Sequence, residues 1–150
     1  MKREPIVVER VLSAPPETVY AAWGDAASMS AWMTPGATHD ASVEIDFRVG
    51  GSFRILMHGS DRDFAHRGEY LELEPPKRIV MTWISEWAPA GEEHTLVRIE
   101  LEAVGRSRTR LILTHSEVST DATYDGHAQG WTEILDRLDA ALTKGEDRCP

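Results

Sequence analysis

Apolar side chains recur at helical spacing along the C-terminal part of the chain, from Asp121 to Thr143. This spacing predicts one amphipathic helix of about six turns, roughly 30 Å long at 1.5 Å per residue. The shared apolar face would consist of Tyr124, His127, Trp131, Ile134, Leu135, Leu138 and Leu142. The opposite face would carry Asp125, Gln129, Asp136 and Asp139. A face this long needs a broad apolar cover, and the preceding sequence is typical of a sheet that would supply it.

The N-terminal part predicts one strand followed by two short helices. Residues 5–12 are rich in β-branched side chains and short enough for a strand. Prolines 15–16 suit the first turn of a helix, for which we expect Ser13 or Ala14 to be the N-cap. Asp25 is expected to cap the second helix. The buried stripes would be Val19, Ala22 and Trp23 in the first helix and Met29, Trp32 and Met33 in the second.

Two segments that alternate apolar and polar residues flank the pair Gly50-Gly51. A two-residue turn at these glycines would place the two apolar sets on opposite faces of the sheet. A three-residue loop from Val49 to Gly51 places both sets on one face, with a left-handed glycine at a bulge. We therefore predict this bulge and the pairs Phe47 with Phe53, Ile45 with Ile55 and Val43 with Met57.

Two further hairpins complete a predicted antiparallel meander, with turns at Pro75-Pro76 and Gly105–Ser107. In the first hairpin, even spacing sets Tyr70 opposite Met81 and Gly68 opposite Trp83, so that the glycine leaves room for the indole. In the second, the inward pairs would be Val97 with His115, Ile99 with Leu113 and Leu101 with Leu111. Residues 85–94, between the hairpins, are predicted to form a loop in which Trp87 is exposed.

Composition predicts a soluble, cytoplasmic protein of one domain. Its 150 residues suit one domain, with an ordered core over about 5–143 and a short tail over 144–150. The single cysteine, Cys149, gives no disulfide framework and no CxxC zinc motif. The first residues lack an apolar run of signal-peptide length and no segment reaches membrane length, so we expect neither a signal peptide nor a membrane span. The formal net charge of -9 opposes binding to nucleic acid and to anionic membranes.

The order of one strand, two short helices, six strands and a long helix resembles the helix-grip fold of START-like (SRPBCC, Bet v 1-like) proteins. Five segments in the same order are similar to the bacterial domain related to the C-terminal part of the heat-shock protein 90 ATPase activator. They are ERVLSAPPETVYAAWGD, VEIDFRVGGSFRILM, GEYLELEPPKRIVMTW, TRLILTHSEV and DGHAQGWTEILDRL. The resemblance spans about residues 6–142. It implies an α+β fold in which a curved antiparallel sheet of about seven strands wraps the C-terminal helix.

The resemblance also implies a cavity between sheet and helix that holds a small hydrophobic or amphipathic molecule. The predicted lining consists of Trp23, Trp32, Phe47, Phe53, Ile55, Met57, Tyr70, Met81, Trp83, Val97, Leu113, His115, His127, Trp131 and Leu135. His115 and His127 would be the polar anchors at one end of this cavity. The alternative is that the aromatic residues only pack a core, and that both histidines are buried and hydrogen-bonded.

Three other functional classes fit the sequence less well than ligand binding does. A hydrolase or cyclase would use His115 with His127 or Tyr70, but the chain has no GxSxG, Walker A or GxGxxG motif. The resemblance alone suggests an interaction module for a chaperone ATPase. A metal site lacks a third closely spaced ligand, so we expect neither a metal nor a cofactor.

Two further expectations concern the C-terminal helix and the oligomeric state. Gly126 and Gly130 weaken the helix, and close approach of a neighbouring strand or loop would justify them. Exposed sheet edges make a homodimer plausible.

Overall fold

A computed structural model describes residues 4–36, 38–86, 93–118 and 121–147 of the chain. Their elements follow the predicted order of one strand, two short helices, six strands and a long helix. The strands are β1 (Ile6–Leu12), β2 (Asp40–Ile45), β3 (Ser52–His58), β4 (Asp63–Glu74), β5 (Arg78–Ser85), β6 (Glu93–Val104) and β7 (Arg108–Ser116). The helices are α1 (Pro16–Trp23), α2 (Ala26–Trp32) and α3 (Asp121–Asp147). The long helix therefore ends four residues later than predicted.

The strands described by the structure form one antiparallel sheet of seven strands in the order β1-β7-β6-β5-β4-β3-β2. The sheet curls around α3, which confirms the predicted helix-grip architecture. Asp136 and Asp139, on the polar side of α3, attach the helix to the N-terminal strand. Asp136 lies 2.6 Å from the Arg10 guanidinium, and the Asp139 carboxylate accepts a hydrogen bond from the Ser13 amide at 2.9 Å. Within the described part of the chain, no helix combines the length and the apolarity needed to cross a membrane.

The start of α1 differs from the prediction, whereas the start of α2 agrees with it. Pro15, rather than Ser13 or Ala14, is the N-cap of α1, and its carbonyl accepts hydrogen bonds from Thr18 and Val19. This arrangement is favourable because Pro16 lacks an N–H that would need an acceptor in the first turn. Asp25 caps α2 by accepting a hydrogen bond from the Ala27 amide at 3.0 Å.

The hairpin of β2 and β3 has a register that differs by two residues from the predicted one. Ile45 pairs with Phe53, Val43 with Ile55 and Ala41 with Met57. The two apolar sets still share one face, because a shift of two residues preserves the alternation. Residues 46–51 form a six-residue loop without the predicted bulge, although Gly50 is left-handed with a φ of +85°.

A contact with a third strand explains the longer loop. Gly50 donates a hydrogen bond to the Tyr70 carbonyl, and the Tyr70 amide donates one to Gly51, both at 2.9 Å. The glycines are thus held against β4 instead of closing a tight turn. Phe47 leaves the sheet and packs its ring centroid 5.5 Å from Tyr20 and 5.1 Å from Tyr70.

A break in the regular pairing, which was predicted for the β2–β3 hairpin, occurs instead in the hairpin of β4 and β5. Tyr70 lies opposite Met81 as predicted, but the register shifts between Tyr70 and Glu72. The atoms nearest to a side chain at Gly68 belong to Thr82 and Phe53 rather than to Trp83. A Cβ at Gly68 would collide with the Thr82 carbonyl and would lie 2.7 Å from the Phe53 ring. The glycine therefore allows the backbone and the Phe53 ring to approach closely.

The hairpin of β6 and β7 has the predicted register throughout, with Val97 opposite His115, Ile99 opposite Leu113 and Leu101 opposite Leu111. The predicted loop over residues 85–94 is shorter than expected, because Ser85 belongs to β5 and Glu93 begins β6. Trp87 lies outside the described residues.

Candidate functional site

A cleft of about 530 Å³ opens between the first half of α3 and the β3–β4 end of the sheet. Its floor is formed by buried side chains, among them Met57, His66, Trp83 and Trp131. One wall is the α3 surface that carries Gly126, His127 and Gly130, and the facing wall comes from Pro35 and from the β3–β4 turn. The rim carries the polar residues Asp61, Arg62, Gln129 and Glu133.

Aromatic rings make the floor of the cleft continuous with the core. The ring centroids of Trp83 and Trp131 lie 4.9 Å apart, and the planes are inclined at 55°. The ring centroid of His66 lies 4.9 Å from that of Trp83. At the rim, the Arg62 guanidinium lies 4.8 Å from the centroid of the Phe64 ring. The cleft thus has an aromatic base and a charged edge, which is the usual composition of a small-molecule site.

A chain of hydrogen bonds runs behind this floor. The Trp131 indole N–H donates to His115 Nδ1 at 2.9 Å. Because Nδ1 accepts, the neutral imidazole carries its proton on Nε2, which lies 2.7 Å from the Thr95 hydroxyl oxygen. That hydroxyl in turn donates to the Trp83 carbonyl at 2.6 Å. Both ring nitrogens of His115 are therefore occupied within the protein.

Three histidines, His66, His115 and His127, cluster in the interior beside the cleft. The ring centroids of His115 and His127 lie 4.6 Å apart, and those of His66 and His127 lie 6.3 Å apart. His127 Nε2 lies 3.0 Å from the Ser85 hydroxyl oxygen, within hydrogen-bonding distance. Burial lowers the pKa of His66 to about 3 and that of His115 to about 2, and the neighbouring His127 adds to both effects. His66 and His115 are consequently uncharged at neutral pH.

The histidine cluster does not have the arrangement of a metal centre. Across the described ranges, no three His, Cys, Asp or Glu side chains are placed to hold a metal ion together. The bonds to Trp131 and Thr95 use both nitrogens through which His115 could coordinate a metal.

The structure brings four of the fifteen predicted lining residues to the cleft. They are Met57, Trp83, His127 and Trp131. The others lie in the core, where Phe47 is half-buried and the rest are buried. These core residues are Trp23, Trp32, Phe47, Phe53, Ile55, Tyr70, Met81, Val97, Leu113, His115 and Leu135.

Several cleft residues were not predicted from the sequence. His66 could have been found, because it precedes Gly68 and Tyr70 on the inward-facing alternation of β4. Arg62 and Pro35 had no such signal, since each lies in a connection between elements and reaches the cleft only through the tertiary fold.

Both the sequence and the fold have counterparts among known proteins. The sequence profile of the family described as "Activator of Hsp90 ATPase homolog 1-like protein" matches residues 13–143. The chain belongs to this family. The predicted family relationship is therefore confirmed, and the fold of the family commonly binds hydrophobic ligands.

Solved structures of bacterial proteins share the fold of this Hsp90-activator-like family member. Protein CV1439 from Chromobacterium violaceum is 29% identical with a TM-score of 0.76, and the match covers 92% of this chain and 96% of that one. Protein NE0264 from Nitrosomonas europaea is 20% identical with a TM-score of 0.79, covering 96% and 97%. Protein Ms6760 from Mycobacterium smegmatis is 17% identical with a TM-score of 0.79, covering 97% and 98%. No curated protein shows significant similarity to the chain.

Proposed function

We propose that this protein binds a small hydrophobic or amphipathic molecule in the cleft between α3 and the β3–β4 end of the sheet. The observation that supports this most strongly is the cleft itself, about 530 Å³ in volume with Trp83 and Trp131 in its floor. Ligand sites of this kind have volumes of about 300–1,000 Å³, mostly apolar walls and a few polar groups. The cleft meets each of these criteria.

Gly126 and Gly130 leave space in the cleft, although glycine lowers the stability of the α3 helix. A Cβ at Gly130 would meet nothing nearer than the Pro35 side chain, at 3.6 Å, which is an ordinary contact distance. The predicted close approach of a neighbouring segment therefore does not explain this glycine. Alanine would fit and would favour the helix by about 1 kcal/mol. Gly126 also lines the cleft, and a helix wall without side chains at these two positions widens the space for a ligand.

The polarity of the cleft indicates the kind of molecule that it would accept. An apolar body would lie against Trp83, Trp131 and Ile134, where it buries surface without losing hydrogen bonds. A polar end would face the rim at Arg62 and Gln129. His66 is uncharged at neutral pH, because burial lowers its pKa to about 3. The inner part of the cleft therefore favours an uncharged group over an ion.

The fluorescent probe N-phenyl-1-naphthylamine, which is apolar and uncharged, tests this proposal. We expect saturable enhancement of its fluorescence by the wild-type protein. Gly130→Leu would place a branched side chain against Pro35 and into the cleft, and we expect it to weaken probe binding by about tenfold or more. Ala140→Leu adds the same side chain at an exposed position of α3 and is the matched control.

Circular dichroism would first establish that both variants are folded. A wild-type protein that does not bind the probe, or a folded Gly130→Leu variant that binds it as tightly as Ala140→Leu does, would contradict the proposal.

The similarity of the family to the activator of the Hsp90 ATPase supports a second candidate function, stimulation of a chaperone ATPase. The assay is ATP hydrolysis by a bacterial Hsp90-type chaperone at increasing concentrations of this protein. Under this second proposal, stimulation would use the protein surface, so Gly130→Leu would stimulate as well as the wild type does. Unchanged hydrolysis at saturating protein would dismiss it.

The geometry gives no comparable support to a hydrolase or cyclase that uses His115. This side chain does not line the cleft, and Trp131 and Thr95 occupy its two ring nitrogens. A general acid or base needs a ring nitrogen within reach of the substrate.

A further inference from the structure

The hydrogen-bond chain behind the cleft connects the Trp131 indole to the backbone of Trp83, the other tryptophan of the floor. It starts at the Trp131 side chain on α3 and ends at the Trp83 backbone on β5. We propose that His115 and Thr95, which do not line the cleft, are positioning residues that fix Trp131 relative to Trp83 and thereby set the affinity of the cleft. This inference rests on the proposed ligand-binding function.

Each bond of the chain determines the direction of the next. Trp131 can only donate, so His115 Nδ1 must accept and its Nε2 must donate. The Thr95 hydroxyl oxygen accepts the hydrogen bond from His115 Nε2–H at 2.7 Å, and the hydroxyl donates its own hydrogen bond to the Trp83 carbonyl at 2.6 Å. The donors and acceptors of these three bonds therefore have one consistent arrangement. Removal of the Thr95 hydroxyl would leave the His115 Nε2–H without its acceptor.

Burial alone does not require the Trp131 indole to be bonded. In the part of the chain that the structure describes, the buried indole N–H groups of Trp23 and Trp83 have no acceptor. The fold thus tolerates unpaired indoles in the same aromatic cluster, including that of Trp83 in the floor. Trp32 bonds only within its own helix, to Ser28 at 3.3 Å, whereas the Trp131 bond joins α3 to β7.

The hydrogen bond to His115 fixes the orientation of the Trp131 ring more closely than apolar packing does. Contacts between rings, such as the 4.9 Å approach of Trp83 and Trp131, depend mainly on buried area and restrict the tilt of a ring less sharply than a hydrogen bond does. Hydrogen bonds in a dry interior are short and directional, and a fully satisfied network makes its members rigid. A rigid floor lowers the cost of ordering side chains when a ligand binds.

Thr95→Val and Thr95→Ser form the matched pair that tests the inference. Valine keeps the shape of the side chain but removes the hydroxyl, whereas serine keeps the hydroxyl. With N-phenyl-1-naphthylamine as the probe, we expect about fivefold or greater weakening for Thr95→Val and a change within about twofold for Thr95→Ser. Ile99→Val controls for a general loss of stability, because it deletes one buried methylene from the same strand at a position outside the cleft. We expect it to bind the probe as the wild type does.

A second measurement detects the hydrogen bonds of Trp131, His115 and Thr95 directly and needs no ligand. In proton–nitrogen correlation spectra, the Trp131 indole resonance should shift in Thr95→Val, and its hydrogen exchange with solvent should become faster. Both should stay unchanged in Ile99→Val.

The possible outcomes separate this inference from the proposed function. A wild-type protein that fails to bind the probe overturns the proposed function, and with it any role of these hydrogen bonds in ligand affinity. Wild-type binding that Thr95→Val leaves unchanged, or that Ile99→Val weakens equally, overturns only the positioning role. An unshifted Trp131 indole in Thr95→Val overturns the hydrogen-bond chain itself.

Discussion

Acidification from pH 7 to pH 5 is expected to destabilise the folded protein through its buried histidines. The folded-state pKa values of His66 and His115 are lowered to about 3 and about 2, from an ordinary value of 6.5. In the unfolded chain both side chains take up protons as the pH falls through 6.5, whereas in the folded protein they stay neutral. The unfolded state then binds more protons, so stability falls with decreasing pH.

The magnitude follows from the two lowered pKa values. Between the unfolded and the folded pKa, each histidine reduces the free energy of unfolding by about 1.4 kcal/mol per pH unit. At pH 5, which is 1.5 units below 6.5, the loss is about 2 kcal/mol per histidine and about 4 kcal/mol for both. This is a large part of the roughly 5–15 kcal/mol that stabilises a typical domain.

Urea unfolding at pH 7, 6 and 5, followed by tryptophan fluorescence, measures this loss. Four tryptophans lie in the core, so unfolding changes their environment directly. The variant His66→Phe keeps a ring against Trp83 but cannot titrate, and it should lose about half as much free energy over this range. A free energy of unfolding that is the same at pH 7 and pH 5 in the wild type would refute the reasoning.

Three substitutions test the packing of the site by urea unfolding at pH 7. Trp131→Ala should cost about 3–5 kcal/mol because the indole is buried, and a loss below about 1 kcal/mol would contradict its place in the floor. Gly130→Ala should raise stability by about 1 kcal/mol, since its Cβ meets only an ordinary contact; destabilisation would show that the backbone requires glycine there. Gly68→Ala should destabilise by more than about 1 kcal/mol, because its Cβ collides with the Thr82 carbonyl; a neutral effect would contradict this close approach.

The elements and most of the sheet register could be predicted because local patterns determine them. The β6–β7 hairpin shows this best, since clean alternation on both sides of a three-residue turn leaves one register that buries both apolar sets. The β2–β3 hairpin has equally clean alternation, but its loop bonds to Tyr70 on β4. That contact joins segments about twenty residues apart, and alternation within two strands carries no information about it.

The candidate site was harder to predict than the fold for the same reason. Trp131 and His127 share the periodic face of α3, so the sequence indicates that both are buried. Whether a buried residue packs a core or borders a cleft depends on the elements across from it. His115 illustrates the limit: its inward position on β7 was predicted, but its bonds to Trp131 and Thr95 come from two other elements.

The central claim is that the cleft binds a small apolar molecule, and a nuclear magnetic resonance titration of the wild-type protein with N-phenyl-1-naphthylamine tests it most directly. We predict saturable shifts of the Gly126 and Gly130 amides and of the Trp131 indole, with one probe bound per chain. Saturable shifts confined to the outer face of the sheet, or no shifts at saturating probe, would contradict the claim.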